Sequence, residues 1–140
     1  MSLVIEHPAA PHSGASDLLA AAGHCLAQAG AATRPVDRYA AAHLAALRGA
    51  AAVLAVRAQP ITGRRRKPAS AWELLVAVAP DLGEWAAFFA SGAQKRAAAQ
   101  AGLTRSVTAR EADDLLRDAA TFVALVAAML DVPCPKAACL

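Results

Sequence analysis

The sequence predicts an all-α protein, an up-and-down bundle of four to five helices. Of its 140 residues 57% are hydrophobic, yet much of that share is alanine and only 4% are aromatic. Alanine has the highest helix propensity and loses no side-chain entropy on folding, so this composition favours helices. No segment shows the strict alternation of a strand. The length suits one domain with a single core.

Residues 1–15 contain proline, glycine and serine without helical periodicity, and are predicted to form a flexible N-terminal tail. Residues 16–32 are expected to form a first helix capped by Ser16, and the segment 33–35 breaks it. A second helix is predicted to run from Pro35 or Asp37 to residue 57. Residues at helical spacing are predicted to face inward on these two helices: Leu18, Leu19, Ala22 and Leu26, then Ala40, Leu44, Leu47, Ala51 and Leu54.

The segment 58–69 is predicted to be a loop. After it, Ser70 and Glu73 have the spacing of a capping box, which predicts a short third helix that Pro80 interrupts. Asp81 is expected to cap a fourth helix that reaches residue 101 and stops at Gly102. The core is expected to depend on few large side chains, including an apolar stripe on the fourth helix: Leu82, Trp85, Phe88 and Phe89, besides Trp72 and Phe122.

A last helix is predicted to begin with a second capping box, Thr108 and Glu111, and to end near residue 130. Pro133 and Pro135 then favour a C-terminal tail over residues 131–140. The inward positions of this helix are expected to be the large apolar ones: Leu115, Phe122, Val126 and Met129. The predicted bundle therefore spans residues 16–130.

The sequence lacks the usual signs of secretion or membrane insertion. Its N-terminus has no basic region followed by an apolar one, and its longest apolar run, residues 119–130, is shorter than the roughly 20 residues of a spanning helix. The three cysteines are too few for a disulfide framework, which favours a reducing compartment. We therefore expect a soluble, cytoplasmic protein without membrane contact. The net charge of +3 permits an anionic partner but does not require one.

Arg38 and His43 on the second helix are the candidate catalytic residues. Arginine holds phosphate through a planar fork of donors, and histidine moves protons near neutral pH. Five positions along a helix separate two side chains by about 140°, so a shared site would need a second protomer related by a two-fold axis. The structural alternative is a surface arginine paired with Asp37 or solvent and a half-buried histidine bonded within the bundle. Tyr39 could orient or pack against the imidazole.

Arg64, Arg65, Arg66 and Lys67 in the loop are candidate nucleic-acid contacts, because four cations would neutralise phosphates without reading bases. A solvated loop explains them equally well, and no aromatic side chain is interleaved for base stacking.

The acidic residues of the last helix are interpreted as a solvated face. Glu111, Asp114 and Asp118 share that face, and Asp113 has the spacing to pair with Arg117. The histidines and cysteines lack metal-ligand spacing, so neither a metal nor another cofactor is predicted.

Four phrases of the chain resemble an actinobacterial subgroup of the HEPN superfamily: RYAAAHLAALRGAAAVL, SAWELL, EWAAFFASGAQKRAAA and TAREADDLL. The similarity covers roughly residues 15–130. It implies a compact helical bundle, often dimeric. The resemblance implies an activity, since many HEPN domains resemble metal-independent endoribonucleases whose arginine and histidine are separated by four to six residues and meet across the dimer, usually on a late helix. Arg38 and His43 match this motif as Arg-x4-His. Other members lack the motif and serve as binding or regulatory modules.

The resemblance leads to three functional hypotheses. The first is a module that binds RNA, a nucleotide or a protein partner as a homodimer. The second is a metal-independent endoribonuclease in which Arg38 holds phosphate and His43 acts as acid and base. The third is a structural dimerisation domain without a ligand. Pairing is expected because an alanine-rich chain leaves apolar faces exposed.

Overall fold

The computed structural model describes residues 11–57, 70–103 and 107–139, with side chains from residue 14 onward. These ranges contain six α-helices and no strand, which confirms the all-α prediction. A short 3₁₀ turn, Pro80–Leu82, lies between the third and fourth helices. The helices are α1 Pro11–Ala31, α2 Pro35–Arg57, α3 Ala71–Val78, α4 Gly83–Ser91, α5 Ala93–Gln100 and α6 Ala109–Leu130.

Three long helices form the centre of the bundle. α2 packs along both α1 and α6, and α1 also contacts α6. The connection between α1 and α2 is only residues 32–34, so the two helices run antiparallel as neighbours. The shorter helices α3 and α5 cover other parts of α2, and α4 packs against α3. α2 is therefore enclosed on several sides, and its position decides where Arg38 and His43 lie.

The predicted capping boxes are both present. The Ser70 hydroxyl accepts a hydrogen bond from the backbone N–H of Glu73, and the Glu73 carboxylate accepts one from the backbone N–H of Ser70. Thr108 and Glu111 make the same reciprocal pair at the start of α6. Gly102 follows α5 with a φ of 83°, the left-handed conformation that favours glycine at a helix end. These local signals explain why most helix boundaries were predictable.

Three boundaries differ from the prediction. α1 begins at Pro11, so residues 11–15 belong to a helix and not to a tail; residues 1–10 lie outside the described ranges. Asp81 does not cap a helix: it lies in the 3₁₀ turn, with its carboxylate 4.0 Å from Arg57. The predicted fourth helix is divided at Gly92 into α4 and α5.

The inward face predicted for α2 was wrong. The positions at leucine spacing, such as Leu44 and Leu47, are only partly buried, while Ala42, His43 and Ala46 are fully buried. Alanine on every side of α2 gives little contrast between faces, so the leucine spacing was misleading. Close approach of α6 replaces side-chain bulk there: a Cβ added at Gly49 would lie 3.3 Å from the ring of Phe122.

The aromatic core is smaller than predicted. Trp72, Phe89 and Phe122 are buried and Trp85 packs partly against them, with the Trp72 and Phe89 ring centroids 5.2 Å apart. Phe88 is not in the core, because 44% of its surface is exposed. Adjacent helical residues point about 100° apart, so Phe88 and Phe89 cannot both face one core.

The residues after α6 fold back onto α1. Asp131 ends α6 in the left-handed conformation with a φ of 55°. Pro135 then packs so closely against Gly23 that an added Cβ at Gly23 would lie 2.6 Å from the Pro135 Cβ. The predicted C-terminal tail is therefore packed over residues 132–139, although it has no long helix of its own.

A disulfide joins Cys134 to Cys139, and Cys25 is a buried free thiol. The cysteines were predicted to be reduced, so this bond differs from the prediction. The disulfide closes a local turn in which the backbone N–H groups of Ala138 and Cys139 donate to the Pro135 carbonyl. It joins no separate elements of the bundle and is no framework of the kind that stabilises small secreted domains.

By length and composition alone, α2 is long and apolar enough to cross a membrane, which was not predicted from the sequence. In the bundle 50% of its most apolar window is buried, and four other helices pack against it. The core helix of a helical bundle meets the same criterion, so this property is weak evidence for membrane insertion.

Candidate functional site

Arg38 is a structural contact between α1, α2 and α6. Its Nε donates to the carbonyl oxygen of Ala29 at 2.9 Å, and its Nη2 donates to that of Ala32 at 2.8 Å and, more weakly, to that of Gly30 at 3.4 Å. The last carbonyls of a helix have no partner within the helix and carry partial negative charge. The guanidinium therefore caps the C-terminal end of α1.

The remaining donor of this guanidinium, Nη1, contacts the Asp113 carboxylate on α6 at 2.6 Å. Sequence spacing had assigned Asp113 to Arg117, but Arg117 pairs with Asp114 at 3.2 Å. Asp37, the other expected partner of Arg38, lies 3.9 Å from Arg34. Arg38 thus has a carboxylate and three carbonyls as acceptors, and most of its donors are already used within the protein.

His43 lies in the core with none of its surface exposed. Its Nε2 lies 2.8 Å from the carbonyl oxygen of Phe89, which can only accept, so Nε2 carries a proton. Trp72 and Phe89 meet the imidazole edge-on, with ring centroids 6.0 and 6.1 Å away. The Nδ1 atom is buried without a hydrogen-bond partner among the described residues.

Burial lowers the pKa of His43 below its ordinary value. The hydrogen bond to Phe89 opposes that shift, and the positive charge of Arg96 adds to it. Burying a neutral acceptor nitrogen without a hydrogen-bond partner costs less free energy than burying a charged group without a partner. The surroundings therefore hold His43 as a neutral donor to a backbone carbonyl, and they keep it away from solvent.

Arg38 and His43 do not form a joint site within the protomer. Arg38 is directed to the end of α1 and to α6, whereas His43 is directed to the junction of α4 and α5. This divergence agrees with the helical geometry used in the sequence analysis. Joining two protomers would not expose His43, because its own bundle encloses it. The placement of both side chains argues against catalysis by this pair.

Tyr39 and Gly92 form the close contact between α2 and the α4–α5 junction. A Cβ added at Gly92 would lie 2.7 Å from the Tyr39 hydroxyl and 3.6 Å from His43 Cδ2. Burial raises the pKa of Tyr39, the nearby Lys95 opposes that shift and Glu111 adds to it. Tyr39 packs beside His43 but is not bonded to its imidazole.

Lys95 and Glu111 form an ion pair between α5 and the start of α6. The hydrogen bond to Glu111 raises the pKa of Lys95, and the hydrogen bond from Lys95 lowers the pKa of Glu111, which the backbone N–H of Thr108 lowers further. The same carboxylate completes the capping box of α6. This pair links α5 to the start of α6.

A groove lies at the surface between α4–α5 and α6. It consists of two hollows, of about 650 and 400 Å³, which share Phe88 and Asp118 as lining residues. We call it the α4–α6 groove. Its charged lining contains five carboxylates and two cations: Asp81, Glu84, Glu111, Asp114 and Asp118, with Lys95 and Arg117.

The groove was not predicted from the sequence, because Phe88 was expected in the core. One signal was available: Leu82, Trp85 and Phe89 follow the spacing of one helical stripe, and Phe88 lies outside it. Glu84 and Asp118 make no hydrogen bond or ion pair within the described part of the chain. The charged residues of the groove come from distant segments, which periodicity cannot bring together.

The predicted nucleic-acid contacts, Arg64, Arg65, Arg66 and Lys67, lie outside the described residues. Among residues 11–57, 70–103 and 107–139, no group of three or more histidine, cysteine, aspartate or glutamate side chains is arranged to hold a metal ion.

The comparison with known families agrees with this architecture. The family model HEPN_SAV_6107-like HEPN matches residues 29–127, which is more than half of the chain. The matched segment runs from the end of α1 through most of α6 and includes the groove. No curated protein and no solved structure gives a significant match. The chain belongs to the HEPN_SAV_6107-like family of HEPN domains.

Proposed function

We propose that this HEPN domain is a non-enzymatic binding module that docks a protein partner and pairs as a homodimer. The observation that carries the non-enzymatic part of this proposal is the complete burial of His43. A general acid or base must come within hydrogen-bond distance of its substrate, and His43 instead donates to the Phe89 carbonyl. Arg38, the presumed phosphate ligand, is similarly engaged at the end of α1.

The charge of the α4–α6 groove supports a protein partner over RNA or a nucleotide at that surface. Five carboxylates line it, and its two cations are both paired with carboxylates of the same lining. Phosphates would meet net negative charge there, whereas an apolar partner would cover the exposed ring of Phe88.

The competing hypothesis is the metal-independent endoribonuclease. It is tested by incubating the protein with a mixed-sequence RNA in EDTA and comparing wild type with His43→Gln, which keeps a donor for the Phe89 carbonyl. We expect no cleavage by either protein, or equal trace cleavage that further purification removes. If the wild type cleaves RNA and the folded His43→Gln variant does not, the non-enzymatic proposal is wrong.

RNA binding through residues 64–67 is tested in a separate experiment. Replacing Arg64, Arg65 and Arg66 with glutamine should leave the affinity for RNA unchanged if the domain docks proteins only. A phosphate contact would instead give weaker binding with a flatter dependence on salt concentration. That result would assign the loop to RNA and would contradict a function confined to protein docking.

A second apolar surface, on α3 and α4, supports pairing between two copies. Val76 is 42% exposed and lines a hollow together with Ala87 and Ala90, which are also exposed. Analytical ultracentrifugation should give the mass of a dimer for wild type and of a monomer for Val76→Glu. Leu125→Glu, at an exposed position of α6 outside this surface, is the control and should remain dimeric. A monomeric wild type would contradict the homodimer.

A further inference from the structure

We infer that the α4–α6 groove binds a basic peptide segment, in which a bulky apolar side chain covers Phe88 and an arginine or lysine pairs with Glu84 and Asp118. This inference rests on the proposed function, since it names the kind of protein segment that the module docks. It is carried by three observations: one exposed aromatic side chain, two carboxylates that have no partner among the described residues, and the groove that these side chains line together.

The apolar contact is Phe88. Its side chain is 44% exposed and lies where the two hollows of the groove meet. Trp85, one turn earlier on α4, lines the same hollow and is partly buried against Phe89. Aromatic side chains that stand in a groove are the usual anchors of a protein interface.

The charge of the groove selects the partner. Lys95 is paired with Glu111, and Arg117 is paired with Asp114, so both cations are already neutralised. Asp81 lies at the distance limit of an ion pair with Arg57, at 4.0 Å. Glu84 on α4 and Asp118 on α6 have no partner within the described ranges, and both line the larger hollow with Trp85 and Phe88.

An arginine or lysine side chain fits this arrangement better than a small cation. The apolar stem of either side chain can lie on an aromatic surface while its charged end reaches a carboxylate. The two carboxylates belong to different helices, and the described residues hold no compact metal cluster. The protein as a whole carries a net charge of +3, so the attraction for a basic segment is local to the groove.

The test uses three fluorescein-labelled helical peptides of the same length. Each contains leucine and one polar residue type, which is arginine in the first peptide, glutamine in the second and glutamate in the third. Fluorescence anisotropy measures their binding to the full chain. We expect the arginine peptide to bind at least tenfold more tightly than the glutamate peptide, and to bind more weakly as salt concentration rises.

Two variants locate the binding surface. Phe88→Ala should weaken binding of the arginine peptide about tenfold, as removal of a central aromatic anchor does. The double variant Glu84→Gln with Asp118→Asn should weaken it about fivefold and flatten its salt dependence. The matched controls are Leu125→Ala, an exposed apolar side chain outside the groove, and Asp17→Asn, an exposed carboxylate on α1; both should bind like wild type.

Circular dichroism must show that every variant is folded, and ultracentrifugation must give its mass. Equal binding of the arginine and glutamate peptides, or no difference between Phe88→Ala and Leu125→Ala, would overturn the inference. A change of oligomeric mass in the groove variants would also overturn it, because the occupant would then be a second copy of the chain. If none of the three peptides binds and the protein still does not cleave RNA, the inference is wrong but the proposed function is not contradicted.

Discussion

The Nε2 atom of His43 and the carbonyl oxygen of Phe89 lie 2.8 Å apart inside the bundle, where they join α2 to the end of α4. Phe89 lies two residues before α4 ends at Ser91, and its carbonyl also accepts from the N–H of Gly92. The imidazole thus supports the point where the chain passes from α4 to α5. This relationship gives the histidine a structural role that can be measured.

Replacing His43 with alanine should destabilise the fold by about 2–4 kcal/mol, because it leaves both a cavity and a buried carbonyl with one acceptor position unfilled. Urea unfolding followed by circular dichroism measures this change. His43→Gln can still donate a hydrogen bond from its amide, so it should lose less stability than His43→Ala. A loss under about 1 kcal/mol for His43→Ala would show that the site collapses around the missing imidazole.

The pH dependence of stability should reflect the lowered pKa of His43. Below the ordinary histidine pKa of about 6.5, the unfolded chain takes up a proton that the folded protein does not. The free energy of unfolding should therefore fall as the pH drops from about 6.5 to the folded-state pKa, and this contribution should be flat above about 6.5.

Urea unfolding between about pH 5 and 7.5 measures this effect. The slope of the unfolding free energy against pH should be smaller in His43→Gln than in wild type. The control is His24→Gln, which removes an exposed histidine of α1. A slope that is identical in wild type and His43→Gln would contradict the assignment of the pH effect to His43.

Arg38 should stabilise the fold more through its hydrogen bonds to the carbonyls at the end of α1 than through its ion pair with Asp113. Arg38→Ala removes the donors to Ala29 and Ala32 and should cost about 1–2 kcal/mol, as loss of a helix cap does. Asp113→Asn should cost under about 1 kcal/mol, because the Asp113 side chain is 57% exposed. Arg34→Ala, which removes an exposed ion pair with Asp37, is the control.

Thermal and urea unfolding of these three variants separate the two contributions of Arg38. If Asp113→Asn costs as much as Arg38→Ala, the ion pair and not the helix cap stabilises this contact. Arg38→Lys should recover less than half of the loss, since an ammonium cannot reproduce the geometry of the guanidinium fork.

Gly92→Ala should cost about 1–3 kcal/mol through steric overlap, because the new Cβ would lie 2.7 Å from the Tyr39 hydroxyl. The backbone of Gly92 has a φ of −89°, which alanine adopts without strain. Tyr39→Phe in the Gly92→Ala background should recover most of the loss, because it removes the overlapping oxygen.

Gly83→Ala is the matched control for that experiment. Gly83 is also helical, with a φ of −58°, and nothing lies within 4 Å of an added Cβ. Its replacement should be neutral or slightly stabilising. A loss in Gly92→Ala that Tyr39→Phe does not relieve would place the overlap elsewhere, for example at His43 Cδ2.

The positions of the helices could be predicted because their ends are encoded locally. Ser70 with Glu73, and Thr108 with Glu111, need only neighbours three residues away to start a helix. Gly102 ends α5 through its own backbone conformation. Asp81 failed as a cap because Pro80 begins a 3₁₀ turn there, which passes directly into α4.

The environments of the candidate residues could not be predicted in the same way. Arg38 meets Asp113 at a sequence separation of 75, and His43 meets Phe89 at one of 46, so no local pattern contains either contact. The alanines of α2 also conceal which face is inward, since alanine is compatible with both core and surface. Phe88 was misplaced for a simpler reason: its neighbour Phe89 already occupies the inward direction.

The enclosure of α2 has a consequence for how this protein tolerates variation. Ala42, Ala45, Ala46 and Ala50 are all fully buried, and helices approach α2 closely because these side chains are small. A larger side chain at any of them would have to displace a neighbouring helix. A map of every single substitution should therefore show its most intolerant stretch in this alanine run, where the sequence looks most replaceable, and its most permissive positions at exposed charged residues such as Asp17.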